Sequence, residues 1–320
     1  MNVLVTGGSG FIGSHFIEGF LKRNDVTNVY NLDANTYAAN KNLPFESDNR
    51  YQKLTLDICA AYFPSQKNYL KSLNLDYVIH FAAESHVDNS ITGPKKFIDT
   101  NIVGTFNLLE IFNDTNIKKF IHVSTDEVFG SLNHKESAFT VDSPYKPNSP
   151  YASSKAASDL IVRSFNKTYG FPTVITNCSN NFGPRQHKEK MIPKCISSLK
   201  AGTPIPLYGD GSNIRDWIFV KDHASALMEI LFDGKPGKQY LIGGDNEISN
   251  FDLIHILAEE YKNITNKELS PEWFKFVEDR KGHDLRYAID NSDFKLDFPN
   301  WKASDFKQSI KETISSCLQT

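Results

Sequence analysis

Five side chains of the types that move protons stand in two short groups near the middle of the sequence. Thr125, Asp126 and Glu127 are adjacent in "STDEVFG", and Tyr151 and Lys155 lie four apart in "YASSK". At that spacing a helix carries Tyr151 and Lys155 on one face, with Cβ atoms about 5–6 Å apart. A free tyrosine titrates near ~10 and is a poor base at neutral pH, but a neighbouring ammonium and a further cation stabilise its phenolate. Tyr151 can then take a proton from a substrate hydroxyl as hydride leaves the same carbon. The triplet suits a different step. Elimination of water needs a base and an acid at neighbouring carbons, and Glu127 and Asp126 offer one of each, with the Thr125 hydroxyl free to orient an oxygen. In a regular strand Thr125 and Glu127 would share a face and Asp126 would point away. All three reach one substrate only if the chain turns after Ser124, and that turn is expected.

The elements around these groups alternate. "NVLVTG" reads as a strand and "FIGSHFIEGFLKR" as a helix, with Ile12, Phe16, Ile17, Phe20 and Leu21 at helical spacing. "VTNVYNLD", "YQKLTLDI", "DYVIHFAA" and "KKFIHVS" follow as strands, with a long helix over 95–114 before the last of them. After the proline-rich "SPYKPNSP" comes a helix that begins at Tyr151 and stops at Gly170, then the strand "PTVITNCS". This is the pattern of an α/β protein built on a parallel, doubly wound sheet. Beyond Gly183 and Pro184 the alternation fades into turns such as "YGDGSN" and two amphipathic helices, "FDLIHILAEEYKN" and "FKQSIKETISSCL". The reading is a nucleotide-binding domain over 1–178 and a smaller α/β substrate domain over 179–320, with 214–245 able to return to the first.

"TGGSGFIGS" places Gly7, Gly10 and Gly13 between the first strand and the first helix, with Phe11 and Ile12 inside the turn. Glycines there permit a tight turn and close approach of a pyrophosphate, which the helix N-terminus favours; this is a relative of the dinucleotide fingerprint. Asp33 ends the second strand about 20 residues past the third glycine, where a carboxylate bonds ribose hydroxyls and repels a ribose phosphate. NAD is therefore expected over NADP, although Asp33 could instead cap the loop that follows it. Asn35 and Thr36 in that loop, Asp57 and Ile58 beside the adenine, and Phe81, Ala82, Ala83 and Ser85 at the end of the fourth strand extend the expected cofactor site. Thr100, Tyr151, Lys155 and Asn181 complete it.

Composition narrows the ligand further. The chain has 320 residues, 40% hydrophobic and 23% charged, with a formal charge of −3 and no long run of one sign. A sizeable core is affordable, and neither nucleic acid nor a membrane surface is favoured as partner. The four cysteines form no CxxC pair, the nine histidines no HxxxH or HExxH arrangement, and no signal segment is evident at the start. No metal and a reducing cytoplasm are expected.

Taken together, "TGGSGFIGS", "STDEVFG" and YxxxK resemble the extended short-chain dehydrogenase/reductase family, and within it the nucleotide-sugar 4,6-dehydratases. "FAAESHVDNSI", "PYASSKAASD", "TNCSNNFGP", "EKMIP", "IRDWIFVKDH" and "DRKGHDLRYAID" extend the likeness over nearly the whole chain. The resemblance implies oxidation of a hexose C4 hydroxyl by NAD, elimination of water across C5 and C6, and return of hydride to C6. It implies Glu127 as the base at C5, protonated Asp126 as the acid at the C6 hydroxyl, and Thr125 on the C4 oxygen. It also implies a sugar-nucleotide site built from Ser85, His86, Asp88, Thr125, Asn180, Asn181, Glu189, Lys190, Pro206, Leu207, Tyr208, Arg215, Asn250, His283 and Tyr287. Arg215 is the expected diphosphate ligand; His86 and Asp88 could equally stabilise their loop, and Asn250 and Tyr287 could be structural.

Three positions depart from the pattern. Asn89 stands where dTDP-glucose enzymes show arginine, and "SHVDNS" looks more like dehydratases that take UDP-glucose. Phe129 and Phe182 replace usual tyrosines, and "ICAAYFPSQ" departs beside the adenine pocket. The apolar faces of helices around 97–113 and 151–167 are expected to form a homodimer. Two other functions remain open on sequence: a nucleotide-sugar 4-epimerase, which has no elimination for Asp126 and Glu127 to catalyse, and a non-catalytic NAD-binding scaffold, which has no use for the five residues together.

Overall fold

A computed structural model describes residues 1–60, 64–279 and 283–319. The strands are β1 (Asn2–Thr6), β2 (Asn28–Asp33), β3 (Tyr51–Thr55), β4 (Tyr77–His80), β5 (Lys119–Thr125), β6 (Thr173–Cys178), β7 (Asn180–Phe182), β8 (Ile205–Tyr208), β9 (Ile214–Phe219), β10 (Gln239–Ile242), β11 (Glu247–Ser249) and β12 (Phe274–Val277). The helices are α1 (Phe11–Phe20), α2 (Pro64–Ser72), α3 (Val87–Thr92), α4 (Pro94–Phe97), α5 (Thr105–Phe112), α6 (Pro150–Tyr169), α7 (Met191–Ala201), α8 (Val220–Asp233), α9 (Asn250–Thr265), α10 (Ser292–Asp297) and α11 (Phe306–Gln319). Residues 61–63 of the "ICAAYFPSQ" segment and 280–282 of "DRKGHDLRYAID" lie outside the described residues.

Seven parallel strands make the main sheet in the order β10-β6-β5-β4-β1-β2-β3. The order reverses on either side of β1 and β4, which is the doubly wound, Rossmann-like arrangement the alternation predicted. Its central strands are buried on both faces; every residue of β5 and β6 is buried. That explains their near-continuous apolar and β-branched composition. One face packs against α1 and α8 through Phe16, Phe20, Leu227 and Ile230, the other against α5 and α6 through Leu108, Leu109, Val162 and Phe165.

The chain leaves this sheet after Cys178 and returns to it in part. Strand β9 pairs with β7 and β11 in a separate three-stranded sheet, while α8 packs on α1 and β10 joins the edge of the main sheet beside β6. Lys119, buried at the start of β5, donates to the carbonyls of Ile230 (2.8 Å) and Leu231 (2.9 Å) at the end of α8, tying the returning helix to the sheet. A second core of α7, α9, α11 and β9 holds Ile192, Trp217, Leu253, Leu257 and Ile310 together.

The segment read as one helix over 95–114 is helical but not uniformly α. Between α4 and α5, Ile98–Gly104 widens into a π-helical turn. The extra residue turns Asn101 inward, where it accepts from the Glu84 amide (2.8 Å) and donates to the Glu84 carbonyl (3.0 Å) and the Ser154 hydroxyl (2.8 Å). This links the loop after β4 to α6 at the edge of the cavity described next. Widened turns of this kind cluster at functional sites.

Candidate active site

The carboxyl ends of β1, β2, β4, β5 and β6 open onto one cavity of about 570 Å³ that runs from the glycine turn to the second core. Its floor at one end is the turn between β1 and α1. Gly7 has φ +70°, and a Cβ there would come 2.7 Å from the Ala82 nitrogen; one on Gly13 would come 2.5 Å from the Gly7 carbonyl. Only glycine allows β1, α1 and the end of β4 to approach this closely, leaving a backbone-lined cradle at the start of α1. Asp33 closes the end of β2, its two oxygens accepting from the Ser9 amide (2.9 Å) and the Asn35 amide (2.8 Å).

In the middle of the cavity stands the triplet. The strand runs one residue further than expected: Thr125 is still extended, and the chain turns at Asp126 into a short 3₁₀ helix (Asp126–Phe129). The turn brings Thr125, Asp126 and Glu127 to the same cavity wall despite the alternation of a strand. The Thr125 hydroxyl caps the turn, accepting from the Glu127 amide (3.3 Å) and donating to Asp126 Oδ1 (3.3 Å). Asp126 Oδ2 is buried without a hydrogen-bond partner. Burial, then the charges of Glu127 and Asp216, hold the Asp126 carboxyl well above the usual carboxylate range, against the opposing pull of Thr125 and Arg215. A carboxyl whose acidity is weakened in this way, beside a second carboxyl group, is suited to act as the acid of an acid and base pair.

Ser149 caps α6 by accepting from the Ala152 amide, and Pro150 starts the helix. That start brings Tyr151 and Lys155 to the same cavity as the triplet. Burial, then Glu127 and Cys178, push the Tyr151 phenol well above its ordinary range. The sequence points to the neighbouring ammonium together with a further cation to stabilise the phenolate, and in the folded chain burial opposes its formation. Lys155 donates to the Val123 carbonyl (2.8 Å), and burial brings its ammonium down to about 8 while Asp159 pulls it back up. Asp159 is the centre of a buried set, accepting from Ser124 (2.9 Å), Tyr145 (3.0 Å) and Asn177 (3.1 Å) and facing His122 at 3.1 Å.

The far end belongs to the second core. Arg215 enters from β9, donating to the carbonyls of Ile214 (2.7 Å) and Asp284 (2.8 Å) and lying over the Tyr287 ring, 4.3 Å from its centre. Pro206, Leu207 and Tyr208 from β8, Asn250 at the start of α9 and His283 complete that wall. Asn250 Oδ1 is buried and without a hydrogen-bond partner. Lys190 bridges to the Ser85 carbonyl (2.8 Å), and Glu189 lies 3.8 Å from His86.

Of the sequence-predicted site residues, all line this cavity except Asn35 and Tyr287. Asn35 takes a left-handed conformation (φ 52°) and turns its amide to the Asp33 carbonyl and Thr55, supporting the loop from behind. Tyr287 stands beneath Arg215 and bonds Asp284 through its hydroxyl. Asn89 does not line the cavity either; it contacts the Tyr37 hydroxyl (3.4 Å). Phe129 and Phe182 are buried in aromatic clusters away from the cavity. Sequence reasoning missed Cys178, Lys96, Gln186 and Trp217 in the lining, and Asp216, Asp159 and His122 behind it. Only Cys178 left a signal: it pairs in register with Thr125 at the end of the neighbouring parallel strand. Among the described residues no cluster of His, Cys, Asp and Glu could hold a metal ion.

A family model described as GDP-mannose 4,6 dehydratase matches residues 4–313. The dTDP-glucose 4,6-dehydratase of Haemophilus influenzae is 42% identical over 98% of this chain and 97% of its own length. One from Escherichia coli is 44% identical over 98% of this chain and 92% of its own. The chain belongs to the nucleotide-sugar 4,6-dehydratases. Among solved structures, this dehydratase resembles DesIV, a dTDP-glucose 4,6-dehydratase from Streptomyces venezuelae crystallised with NAD, at 39% identity and TM-score 0.92 over 100% of this chain and 98% of that one. A UDP-glucose 4-epimerase from Thermus thermophilus, also with NAD, superposes nearly as well, at TM-score 0.87, with 26% identity over 99% of this chain and 99% of that one. The backbone is thus common to dehydratases and epimerases.

Proposed function

We propose that this chain converts dTDP-glucose to its 4-keto-6-deoxy derivative, with NAD held by the glycine turn and Asp33. When bound, NAD would supply the hydride acceptor for C4, the hydride donor for C6 and a positive charge near Tyr151. The chain's own residues do the rest. Tyr151, supported by Lys155, takes the C4 hydroxyl proton while Thr125 bonds the same oxygen. The new ketone acidifies C5, Glu127 removes that proton, and Asp126 protonates the departing C6 hydroxyl through Oδ2. Glu127 then returns its proton to C5.

The observation that carries this reading is Asp126: a buried carboxyl with one oxygen unpartnered, adjacent to Glu127 in one cavity, and shifted upward by that burial. A 4-epimerase would have no leaving hydroxyl for it to protonate. Arg215, with Lys190, holds the diphosphate, and Pro206–Tyr208 with Asn250 and His283 flank the base. The doubt raised by Asn89 weakens, because that residue stands outside the cavity. The relatives favour thymine.

The product would feed deoxysugar synthesis, rhamnose being one such end point, in the cytoplasm. Free cysteines are in keeping with that setting, and no helix among the described residues is long and apolar enough to cross a membrane. A homodimer would cover Ile98, Val103 and Phe106 on one helical run and Leu160 on α6, all exposed on adjoining helices. The domain division falls near Cys178, where the chain leaves the main sheet, with 220–242 returning to it.

The test is incubation of the purified protein with dTDP-glucose and UDP-glucose in separate reactions with NAD present, followed by mass spectrometry. Loss of one water, faster with dTDP-glucose, is the expected result; an isomer of unchanged mass would make the protein an epimerase, and inert substrates would refute both.

A further inference from the structure

The loop after β2 and the segment before α7 face each other across the cavity. Thr36, Ala38 and Ala39 line one side of it, and Gln186, His187 and Glu189 the other. Both are tied down beside the glycine cradle. The Asn40 amide donates to the Ser9 carbonyl (2.7 Å), and Asp33 holds the start of the loop through the Ser9 and Asn35 amides. On the opposite side Arg185 donates to Glu18 (2.6 Å) and to His15 Nδ1 (2.7 Å) on α1, since His15 spends its Nε2 hydrogen on the Pro184 carbonyl (2.8 Å). Lys190 fixes the far end of the segment by donating to the Ser85 carbonyl (2.8 Å).

Tyr37 spans the gap between them. It stands between two lining residues of the loop but reaches outward, half-exposed, with its ring edge-on to His187, the centroids 5.5 Å apart and the planes at 89°. The Lys96 ammonium of α4 lies 5.6 Å from the ring centre, and Asn89 of α3 donates to the hydroxyl at 3.4 Å. Lys96 is itself anchored, 2.6 Å from Glu84. Three segments thus converge on one ring at the surface. A half-exposed ring buries too little apolar area to be core, yet this one joins the two sides of the cavity in which the dinucleotide cradle lies.

We propose that Tyr37 is a latch: its ring, held by His187 and Lys96, closes the loop after β2 over the bound dinucleotide and gates its entry and exit. The proposed reaction gives such a latch a use, and that use rests on the dehydratase reading. The hydride taken from C4 has to return to C6 of the same sugar, so loss of the cofactor between the two transfers would strand the sugar as a ketone. Exchange is not needed in each turnover, and slow exchange leaves the cycle unimpeded. The contacts that form the latch join protein groups to one another, so breaking them speeds passage in both directions. A side chain that merely touched the dinucleotide would change release far more than entry.

The experiment follows exchange of NAD labelled in its adenine ring, with no sugar present, so that its outcome is separate from that of the dehydratase test. Wild type, Tyr37→Ala, Tyr37→Phe and His187→Ala are loaded, freed of unbound label by gel filtration and chased with excess unlabelled NAD, and the retained label is counted with time. Quenching of protein fluorescence in a stopped-flow instrument gives the association rate, after circular dichroism and thermal melting have shown that the variants fold. Loss of the ring pair and the cation contact should make Tyr37→Ala release NAD about tenfold faster and take it up faster by a similar factor. Tyr37→Phe keeps the ring and should stay within about twofold of wild type. His187→Ala should fall between, and adding it to Tyr37→Ala should change nothing further. Unchanged release in Tyr37→Ala, or faster release with association unchanged, would overturn the latch. So would fully additive effects of the two substitutions. A wild type that binds no NAD would overturn the latch and the cofactor site together.

Discussion

The two ends of the cavity are built on different principles. At the catalytic end, Thr125 and Asp126 stand at the end of β5 and the turn after it and Tyr151 and Lys155 in the first turns of α6; all four are buried, Thr125 bonds Asp126, and Lys155 bonds the strand. At the nucleotide end, Arg215 comes from β9, Tyr208 from β8, Asn250 from α9 and His283 from a loop, so the wall is assembled from segments far apart in the chain. The first end stores its chemistry in perturbed acidities, since burial moves Asp126 and Tyr151 up and Lys155 down. The second offers the cations Arg215 and Lys190 and several flat or polar surfaces for the recognition proposed there. Proton transfer demands groups fixed within hydrogen-bond reach; binding a nucleotide tolerates a looser, modular wall.

Substitutions should divide along that line. Tyr151→Phe should have the largest effect, lowering kcat by about 10³-fold with little change in thermal stability, because the ring that fills the site remains; stopped-flow absorbance of the nicotinamide would show no reduction. Asp126→Asn should lower dehydration by roughly 10²-fold yet leave C4 oxidation in place, so the reduced nicotinamide signal should rise and persist. If both variants lost oxidation equally, the separation of roles between α6 and the β5 turn would fail.

Arg215→Lys should act on the other end. The charge stays, but the planar fork that reaches the Ile214 and Asp284 carbonyls is lost. KM for dTDP-glucose should rise about tenfold, with kcat changed far less. A fall in kcat without a rise in KM would erase the distinction between the ends. The smallest effect expected is a displacement of a pH profile. Lys155 is charged below about 8 and loses its proton above it, so activity should decline as pH rises through that value. Asp159 raises the Lys155 pKa, and Asp159→Asn should move the alkaline limb to lower pH by roughly one unit. A shift to higher pH would contradict the assignment.

The same contrast explains what could be read from the sequence. The glycine turn, Asp33, the triplet and the Tyr151/Lys155 pair are local patterns whose spacing has few other uses, and the alternation around them indicated a parallel, doubly wound sheet, whose strand order came from the structure. The turn at Asp126 was anticipated from the need to bring three neighbours to one side, though it begins one residue later. Asp216 was not legible, because its influence on Asp126 depends on β9 approaching β5 from another sheet. Asp159 and His122 read as ordinary helix and strand residues until the register of β5 on α6 brings them together. The π-helical turn over Ile98–Gly104 was not legible in 95–114, which read as a single helix. Tyr287 shows the limit from the other side: its type and position suited a ligand contact, but the fold uses it to support Arg215.

The central claim is that one cavity oxidises C4, eliminates water and reduces C6 of the same sugar. The most direct measurement is to supply dTDP-glucose deuterated at C4 and to locate the label in the product by NMR. The account predicts a 4-keto-6-deoxy product with the deuterium on C6. Deuterium retained at C4 of an isomer of unchanged mass, or lost to solvent, would contradict it.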